Sequence, residues 1–348
     1  MGRRVLITGL DTFWGGRMAQ ALESNPDIDV LVGLGTSEPK VRLERTEFVR
    51  TDQVYSVLTR LVRATQVDTI VHLFLVTDST QMSRRKLHEV NVIGSMNLFA
   101  ACGSAGSSIR HVIVKSSTLV YGSSAYDPTW FREETPHSRP ARSYVERSLI
   151  EVETFVRDFA EDNPHTLVTV LRFANVLGTD IATPMTFNLS RPLVPSIAGF
   201  DPLVQFVEED DVIRSLEFVT RNEVPGLYNV AGDGRVPWSE VAAMCDRKLL
   251  GLPPFATRAA AAGLVRLGLI MFPPEMDSLL RFGRGVDTRR IKEAGFNFRY
   301  TTAGAVENFV QALRLRRTVG TSEPHYQYES DVESFFRHSP AVIRPSDR

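Results

Sequence analysis

A glycine-containing turn near the start of the chain is the first place where residue types and spacing suggest chemistry. Residues 8–15 follow an apolar run at 5–7 and precede a helical pattern from 15 to about 24. Glycine permits a tight turn and a close backbone approach, and a helix N-terminus offers free N–H groups and a positive dipole end. This placement predicts a pyrophosphate loop and hence a dinucleotide site, with a bare structural turn as the alternative.

The middle of this turn departs from the usual pattern of three glycines. Gly9 and Gly15 take the first and third places, whereas Thr12 takes the second. A Cβ atom at that point would crowd the pyrophosphate and lower its affinity. Alternatively, the Thr12 hydroxyl could bind a phosphate oxygen.

The end of the second predicted strand, at 30–34, should carry an acid that binds the adenosine ribose hydroxyls. Gly35 stands at that position, so the clearest determinant of NAD binding is absent. NADP would call for a nearby Arg, and the next one downstream, Arg42, lies too far along the chain. The choice between NAD and NADP therefore stays open.

Lys115 is a second candidate for a functional residue. Lysine is scarce in this chain, and this one follows the buried strand predicted at 111–114. Residues i and i+2 of a strand share a face, so Lys115 should point the same way as Ser117. A buried ammonium without a partner is costly. Lys115 should therefore pair with an acid, extend to the sheet edge, or reach the site itself.

Alternating strands and helices must position these candidate residues. Strands are predicted at 5–7, 30–34, 47–50, 68–76, 111–114 and 166–171, and helices at 15–24, 55–65, 87–102 and 143–161. The alternation indicates an α/β fold of the Rossmann type, a doubly wound parallel sheet. Further helices are predicted at 210–221, 238–250 and 304–317. We divide the chain into a dinucleotide-binding domain (1–178), a small substrate lobe interleaved with the sheet (179–317) and a C-terminal arm (318–348).

The composition excludes several classes of protein. A formal net charge of -1 and a pI near 6.7 give no reason to expect nucleic acid or a membrane as partner. The two cysteines lack the spacing of a disulfide framework or a metal site, so we expect no metal. The chain enters a strand at once, and the apolar stretch 259–272 is too short to span a bilayer. A cytoplasmic protein is the natural expectation.

The order of motifs resembles the extended short-chain dehydrogenase/reductase family, in its branch of NAD-dependent nucleotide-sugar epimerases and dehydratases. It also resembles an actinobacterial group labelled UDP-glucose 4-epimerase-like. The resemblance covers residues 3–314. It is carried by residues 8–15 (TGLDTFWG), Asp52, 72–74 (HLF), 91–94 (NVIG), 116–122 (SSTLVYG) and 171–178 (LRFANVLG).

The resemblance implies roles for residues at matching positions. Asp52 would contact the adenine, Asn91 would organise the site from its helix, and Ser117 would hydrogen-bond a substrate oxygen. Tyr144 would be the catalytic acid/base, and family members often form homodimers through the helices that carry Asn91 and Tyr144. The expected cofactor contacts are Gly9, Thr12, Phe13, Trp14, Gly15, Gly35, Asp52, Gln53, Leu73, Phe74, Asn91, Lys115, Tyr144, Phe173 and Asn175.

One departure from the family pattern concerns the charge beside the catalytic Tyr. A cation there favours the phenolate, and the family supplies a Lys one helical turn beyond the Tyr. Here Ser148 takes that place, and Arg147 lies about 100° away around the helix. Our hypothesis is that Lys115 partly replaces the missing cation.

The substrate side departs as well. Sugar-nucleotide enzymes of the family place an Arg before the segment that corresponds to residues 206–211, where this chain has Gln205. Arg281 or Arg284 could bind a diphosphate instead. Residues 192–205 are the expected loop over the substrate.

Three functions remain open. The first is an NAD(P)-dependent epimerase, dehydratase or reductase acting on a nucleotide-linked sugar or similar polyol. The second is a binding or scaffold protein that keeps a nucleotide pocket with little turnover. The changes at Thr12, Gly35, Ser148 and Gln205 favour the second. The third is an oxidoreductase with another acid/base and a substrate unrelated to sugars.

Overall fold

The computed structural model describes residues 2–51, 54–136 and 140–319, with side chains described as far as residue 315. Within these residues the strands are β1 Arg3–Thr8, β2 Ile28–Gly35, β3 Thr46–Arg50, β4 Thr69–His72, β5 His111–Ser117, β6 Leu167–Phe173, β7 Asn175–Leu177, β8 Leu193–Ile197, β9 Leu203–Val204, β10 Phe206–Glu208, β11 Gly226–Val230, β12 Val236–Pro237 and β13 Lys248–Leu252.

The helices in the same residues are α1 Phe13–Glu23, α2 Tyr55–Thr65, α3 Arg84–His88, α4 Gly94–Cys102, α5 Tyr144–Asp162, α6 Pro184–Ser190, α7 Glu209–Asn222, α8 Trp238–Met244, α9 Thr257–Arg266, α10 Pro274–Phe282, α11 Arg289–Glu293 and α12 Thr302–Val319. A π-helical turn, Glu89–Ile93, joins α3 to α4, and a 3₁₀ turn, Thr118–Tyr121, follows β5.

A seven-stranded parallel sheet organises the chain, in the order β11-β6-β5-β4-β1-β2-β3. The strand order reverses between β1 and β4, and a crevice for ligands opens at such a point along the carboxyl edge. β4 and β5 are buried along their whole lengths, as expected of parallel strands covered by helices on both faces. The predicted doubly wound α/β fold is confirmed.

Two predicted elements end earlier than the sequence pattern suggests. β4 stops at His72 because the chain then turns away, and the Asn91 side chain binds the N–H and C=O of Val76. The helix predicted at 238–250 ends at Met244, since Asp246 adopts a left-handed conformation with φ of 57°. Its last residues instead form β13, which pairs in parallel with β8.

Beyond residue 178 the chain builds a second, smaller hydrophobic cluster around Trp238, Phe206 and Phe309. It also returns to the main sheet, since β11 pairs with β6. This agrees with a lobe interleaved with the sheet, while its boundary at 178 stays a prediction. The arm assigned to 318–348 lies almost wholly outside the described residues. No helix in the described part of the chain is long and apolar enough to cross a membrane.

A buried ion pair fixes the carboxyl end of the sheet. Arg172 of β6 donates through Nε to Glu153 of α5 at 3.0 Å, and the two side chains are 7% and 10% exposed. The Ser116 hydroxyl donates to the same Glu153 oxygen at 2.6 Å, and Arg172 Nη1 donates to the Tyr121 hydroxyl at 2.7 Å. The network joins β5, β6, α5 and the 3₁₀ turn.

We expect Glu153→Gln to lower the free energy of unfolding by about 3 kcal/mol, because it leaves the Arg172 charge buried without a counter-ion. Denaturant unfolding measures this loss. The matched control is Glu217→Gln on the surface of α7, whose partner Arg221 is half exposed. The control should cost less than about 0.5 kcal/mol. Equal losses in the two variants would contradict the assignment.

Candidate functional site

The loop between β1 and α1 needs glycine at both of its ends. Gly9 has φ of +73°, and a Cβ there would lie 2.8 Å from the Cα of Phe74. A Cβ on Gly15 would lie 2.0 Å from the carbonyl oxygen of Gly9. The loop is therefore held close to the end of β4, and Leu73 and Phe74 are buried beside it. The first amides of a helix have no carbonyl partner within the helix, so the start of α1 is a suitable place for a pyrophosphate.

Thr12 acts as the N-cap of α1. Its hydroxyl donates to the Gly9 carbonyl at 2.7 Å and accepts from the Gly15 amide at 3.1 Å. The hydroxyl proton is thus committed within the loop. In this structure the hydroxyl serves as a helix cap and has no proton left to donate to a phosphate oxygen. Binding of the cofactor by Thr12 stays a prediction. The next residues, Phe13 and Trp14, pack edge to face with ring centroids 4.9 Å apart.

The end of β2 carries an acid that comes from the loop instead of from the strand. Asp11 Oδ2 accepts from the amides of Thr36 and Ser37 at 2.9 and 3.1 Å. A Cβ on Gly35 would lie 2.9 Å from the Asp11 carboxyl carbon. Asp52, the predicted adenine contact, and Gln53, a predicted cofactor contact, lie outside the described residues.

Asn91 lies in the π-helical turn and is fully buried. Besides its two bonds to Val76, its side-chain N–H donates to the Ser148 hydroxyl at 3.1 Å. The Ser148 hydroxyl in turn donates to the Val145 carbonyl at 2.9 Å. Position 148, where the family pattern has its Lys, is therefore filled by a neutral group with satisfied hydrogen bonds.

A cleft opens at the carboxyl edge of the sheet, with about 780 Å³ of empty space that is partly open to solvent. Trp14 borders it from α1, residues 115–117 from β5, and residues 173–176 from β6 and β7. Five predicted site residues meet there, namely Trp14, Lys115, Ser117, Phe173 and Asn175. The sheet register explains this, because Ser117 pairs with Phe173.

Lys115 is 3% exposed and borders the cleft. Its Nζ lies 5.1 Å from the ring centre of Trp14 and 5.9 Å from that of Phe173. Within the described residues Lys115 forms no ion pair. The structure therefore does not show the carboxylate partner that was one of the expected alternatives. Burial lowers the pKa of the Lys115 ammonium from its ordinary 10.5 to about 8.

Ser117 and Tyr144 occupy different surroundings. The Ser117 hydroxyl borders the cleft, where it accepts from the Leu119 amide at 3.2 Å and donates to the Phe173 carbonyl at 3.4 Å. Tyr144 is 44% exposed at the start of α5 and does not border the cleft. Its hydroxyl accepts from Arg84 Nη1 at 2.7 Å, and the Arg147 guanidinium lies 5.8 Å from its ring centre.

On the substrate side, Arg284 borders the cleft and donates to the Thr118 carbonyl at 3.0 Å. Arg281 instead bonds Asp277 and the Pro254 carbonyl outside it. Gln205 is buried and bridges the backbone at Gly232 and Val286. Residues 192–205 contain β8 and β9 and are not among the residues that border this cleft, and their place over the substrate stays a prediction. Residues from the segments 181–185 and 273–279 border it.

Two acids of the cleft were missed by sequence reasoning. Asp78 follows β4, and Glu275 lies at the start of α10. Ser79 donates to Glu275 through its amide and its hydroxyl, both at 3.1 Å. Burial raises the pKa of Glu275, and the charge of Asp78 adds to that rise. Asp78 could have been suspected from its place after a buried strand, whereas no motif marks Glu275.

Comparison with known proteins adds to this geometry. The pattern of the NAD dependent epimerase/dehydratase family matches residues 5–231. The chain belongs to this family. An uncharacterized protein of Mycobacterium tuberculosis is 31% identical over 327 residues, covering 92% of this chain and 86% of the relative. The resemblance to extended short-chain dehydrogenase/reductases is thus confirmed.

Two solved structures show the same fold as this epimerase/dehydratase family member. UDP-glucose 4-epimerase from Thermotoga maritima with UDP-glucose has a TM-score of 0.69 and 18% identity, covering 91% of this chain and 99% of its own. A dTDP-glucose 4,6-dehydratase from Bacillus anthracis in complex with NAD has a TM-score of 0.67 and 15% identity, covering 91% and 98%.

We expect Lys115→Met to raise the stability of this family member at pH 7, because the wild type must keep a charge in apolar surroundings. A pKa lowered from 10.5 to about 8 corresponds to a gain of roughly 3 kcal/mol. Above about pH 8 the native protein loses this proton while the unfolded chain keeps it until about 10.5. The wild type therefore gains stability across that window, and the advantage of the variant shrinks.

Denaturant unfolding of both proteins at pH 7 and pH 9.5 measures this difference. Lys248→Met on β13, where the side chain is exposed, is the control and should change little at either pH. A Lys115→Met variant less stable than the wild type at pH 7 would mean that Lys115 has a stabilising partner.

Proposed function

We propose that this chain is an NAD(P)-dependent epimerase/dehydratase-type oxidoreductase acting on a nucleotide-linked sugar or a similar polyol. One observation carries the proposal: Trp14 beside the glycine loop, Lys115 and Ser117 on β5, and Arg284 all border the same cleft. The Thermotoga maritima epimerase of the same fold was solved with UDP-glucose, which is consistent with a substrate of this class.

The residues of the loop fit a dinucleotide. Gly9 and Gly15 have no side chains at two points of the loop where a Cβ would collide with the backbone. The loop backbone can therefore approach a pyrophosphate closely. Leu73, Phe74 and the start of α1 would hold the nucleotide, and Trp14, Phe173 and Asn175 would border its nicotinamide end. The bound cofactor would supply hydride acceptance and return.

Ser117 would hydrogen-bond the substrate oxygen whose proton moves, since its hydroxyl already borders the cleft. Tyr144 would be the acid/base, as the family resemblance implies. For that role its side chain must leave Arg84 and turn toward Ser117. The Lys115 amine, with a pKa of about 8, borders the same cleft and is a second group able to exchange a proton near neutral pH.

Lys115 would also supply the positive charge that Ser148 cannot. Its ammonium lies on the same strand and face as Ser117, against the ring of Trp14. A buried charge acts more strongly on a phosphate, a ribose oxygen or a developing alkoxide than the same charge in water. We therefore assign Lys115 to cofactor and transition-state binding.

Lys115→Met is expected to weaken NAD(P) binding and to lower kcat on nucleotide sugars, each by about tenfold or more. Calorimetric titration with NAD(H) and NADP(H) gives the first quantity, and a panel of nucleotide sugars gives the second. Lys248→Met again serves as control. Unchanged affinity and turnover in Lys115→Met would end this assignment.

A second function, a nucleotide-binding protein with little turnover, is favoured by two observations. Asn91 already donates a hydrogen bond to the Ser148 hydroxyl. Arg84 donates to the Tyr144 hydroxyl and holds it away from the cleft. Neither group is arranged for proton transfer in this structure. The dinucleotide would then bind without reacting.

The two functions differ in their response to Ser148→Lys. If Lys115 supplies the cation, we expect the wild type to bind a dinucleotide and turn over, and Ser148→Lys to change kcat by less than about tenfold. Any small molecule bound to the purified protein should first be released with acid and identified. Ser148→Met is the control, because Met is similar in size to Lys but uncharged. It shows how far a larger side chain alone disturbs the buried helix face.

No dinucleotide binding at millimolar concentration would overturn both functions. Binding without turnover in the wild type, with activity gained in Ser148→Lys but not in Ser148→Met, would establish the second function.

A further inference from the structure

We infer that Asp11 selects NAD over NADP, taking the place of the acid that is absent from the end of β2. The inference rests on the proposed function insofar as the loop must bind a dinucleotide. It concerns a different part of that site, the adenosine ribose.

The loop after β1 crosses directly over the end of β2. The Leu10 amide donates to the Leu34 carbonyl at 2.7 Å, which fixes the crossing point. Gly33 and Gly35 share one face of β2, and that face has no side chains where the loop lies. A Cβ on Gly33 would lie 2.2 Å from a methyl group of Leu10, and one on Gly35 would lie 2.9 Å from Asp11 Oδ1. The two glycines therefore make room for Leu10 and Asp11.

An acid at position 35 and the acid at position 11 would compete for the same space. A larger side chain at Gly35 would meet the Asp11 carboxylate, and a carboxylate there would also repel it. The absence of an acid from β2 therefore leaves room for Asp11 to reach the same point from the loop after β1.

The carboxylate of Asp11 is held firmly. Its Oδ2 accepts four hydrogen bonds, from the amide and the hydroxyl of Thr36 and from the amide and the hydroxyl of Ser37. These bonds fix the carboxylate, so that Oδ1 can accept from the ribose hydroxyls of NAD.

The same four donors are the groups that a 2′-phosphate would need at the end of β2. Asp11 already occupies them and brings a negative charge to the place of the phosphate. NADP would lose these hydrogen bonds and meet electrostatic repulsion, whereas NAD would gain an acceptor. Arg42 and Lys40 in the following segment are exposed and form no ion pair with Asp11 in the described residues.

The test compares ADP-ribose with 2′-phospho-ADP-ribose by calorimetric titration, since the pair isolates the ribose from the nicotinamide chemistry. We expect the wild type to bind ADP-ribose at least about tenfold more tightly. Asp11→Asn keeps an oxygen for Thr36 and Ser37 but removes the charge, so it should lower this preference about tenfold. The preference of the wild type should also shrink as salt is raised.

Glu23→Gln is the matched control. Glu23 Oε1 accepts from the amides of Glu44, Arg45 and Thr46, each at 2.9 Å, at the opposite end of α1 from Asp11. This change removes a similar carboxylate from a similar cluster of donors and should leave the preference unchanged. Thermal unfolding of both variants confirms that they are folded.

Equal or tighter binding of 2′-phospho-ADP-ribose by the wild type overturns the inference while the proposed function stands. A preference that persists in Asp11→Asn, or is lost equally in Glu23→Gln, also overturns it. Failure to bind either compound, NAD or NADP overturns the proposed function together with the inference.

Discussion

The Arg172–Glu153 ion pair is the contact on which the arrangement of the cleft depends. It ties β6 to α5 and, through Ser116, also ties β5. β5 and β6 then stay in register up to their carboxyl ends, where Ser117 and Phe173 lie side by side. Because side chains alternate along a strand, the same register turns Arg172 toward α5 and Lys115 toward α1. The two neighbouring strands therefore place one buried cation on each face of the sheet.

These two cations differ in how their burial is compensated. Arg172 has a carboxylate and a phenolic oxygen as partners, and such a pair fixes a structure once it is formed. Lys115 lies near two aromatic rings and forms no ion pair in the described part of the chain, and rings compensate an ammonium weakly. The fold therefore pairs Arg172 with a counter-ion but leaves Lys115 at the cleft without one, which lowers the stability of the native state. Such local exceptions are commonly found at functional sites.

The sequence predicted those parts of the molecule that local patterns determine. The glycine turn, the buried strands and the helix of residues 55–65 follow from periodicity and from turn chemistry, and the structure agrees with them. What could not be predicted depends on contacts between distant segments. The position of Asp11 depends on the loop crossing over Gly33 and Gly35, and the orientation of Tyr144 depends on Arg84 from another helix. Likewise, Glu275 reaches the cleft from far along the chain and carries no motif.

A dinucleotide site requires charges at particular points in space, and several elements of a Rossmann fold approach each point. The ribose acid can come from β2 or, as proposed for Asp11, from the loop beside it, provided that β2 has glycine underneath. The cation near the nicotinamide can come from α5 or, as proposed for Lys115, from β5. In both cases the family position is held by a residue that leaves room or stays neutral, Gly35 and Ser148. When each position is compared separately with the family pattern, an acid is missing at Gly35 and a cation at Ser148. The folded chain nevertheless has the charges of Asp11 and Lys115 at the edge of the same sheet.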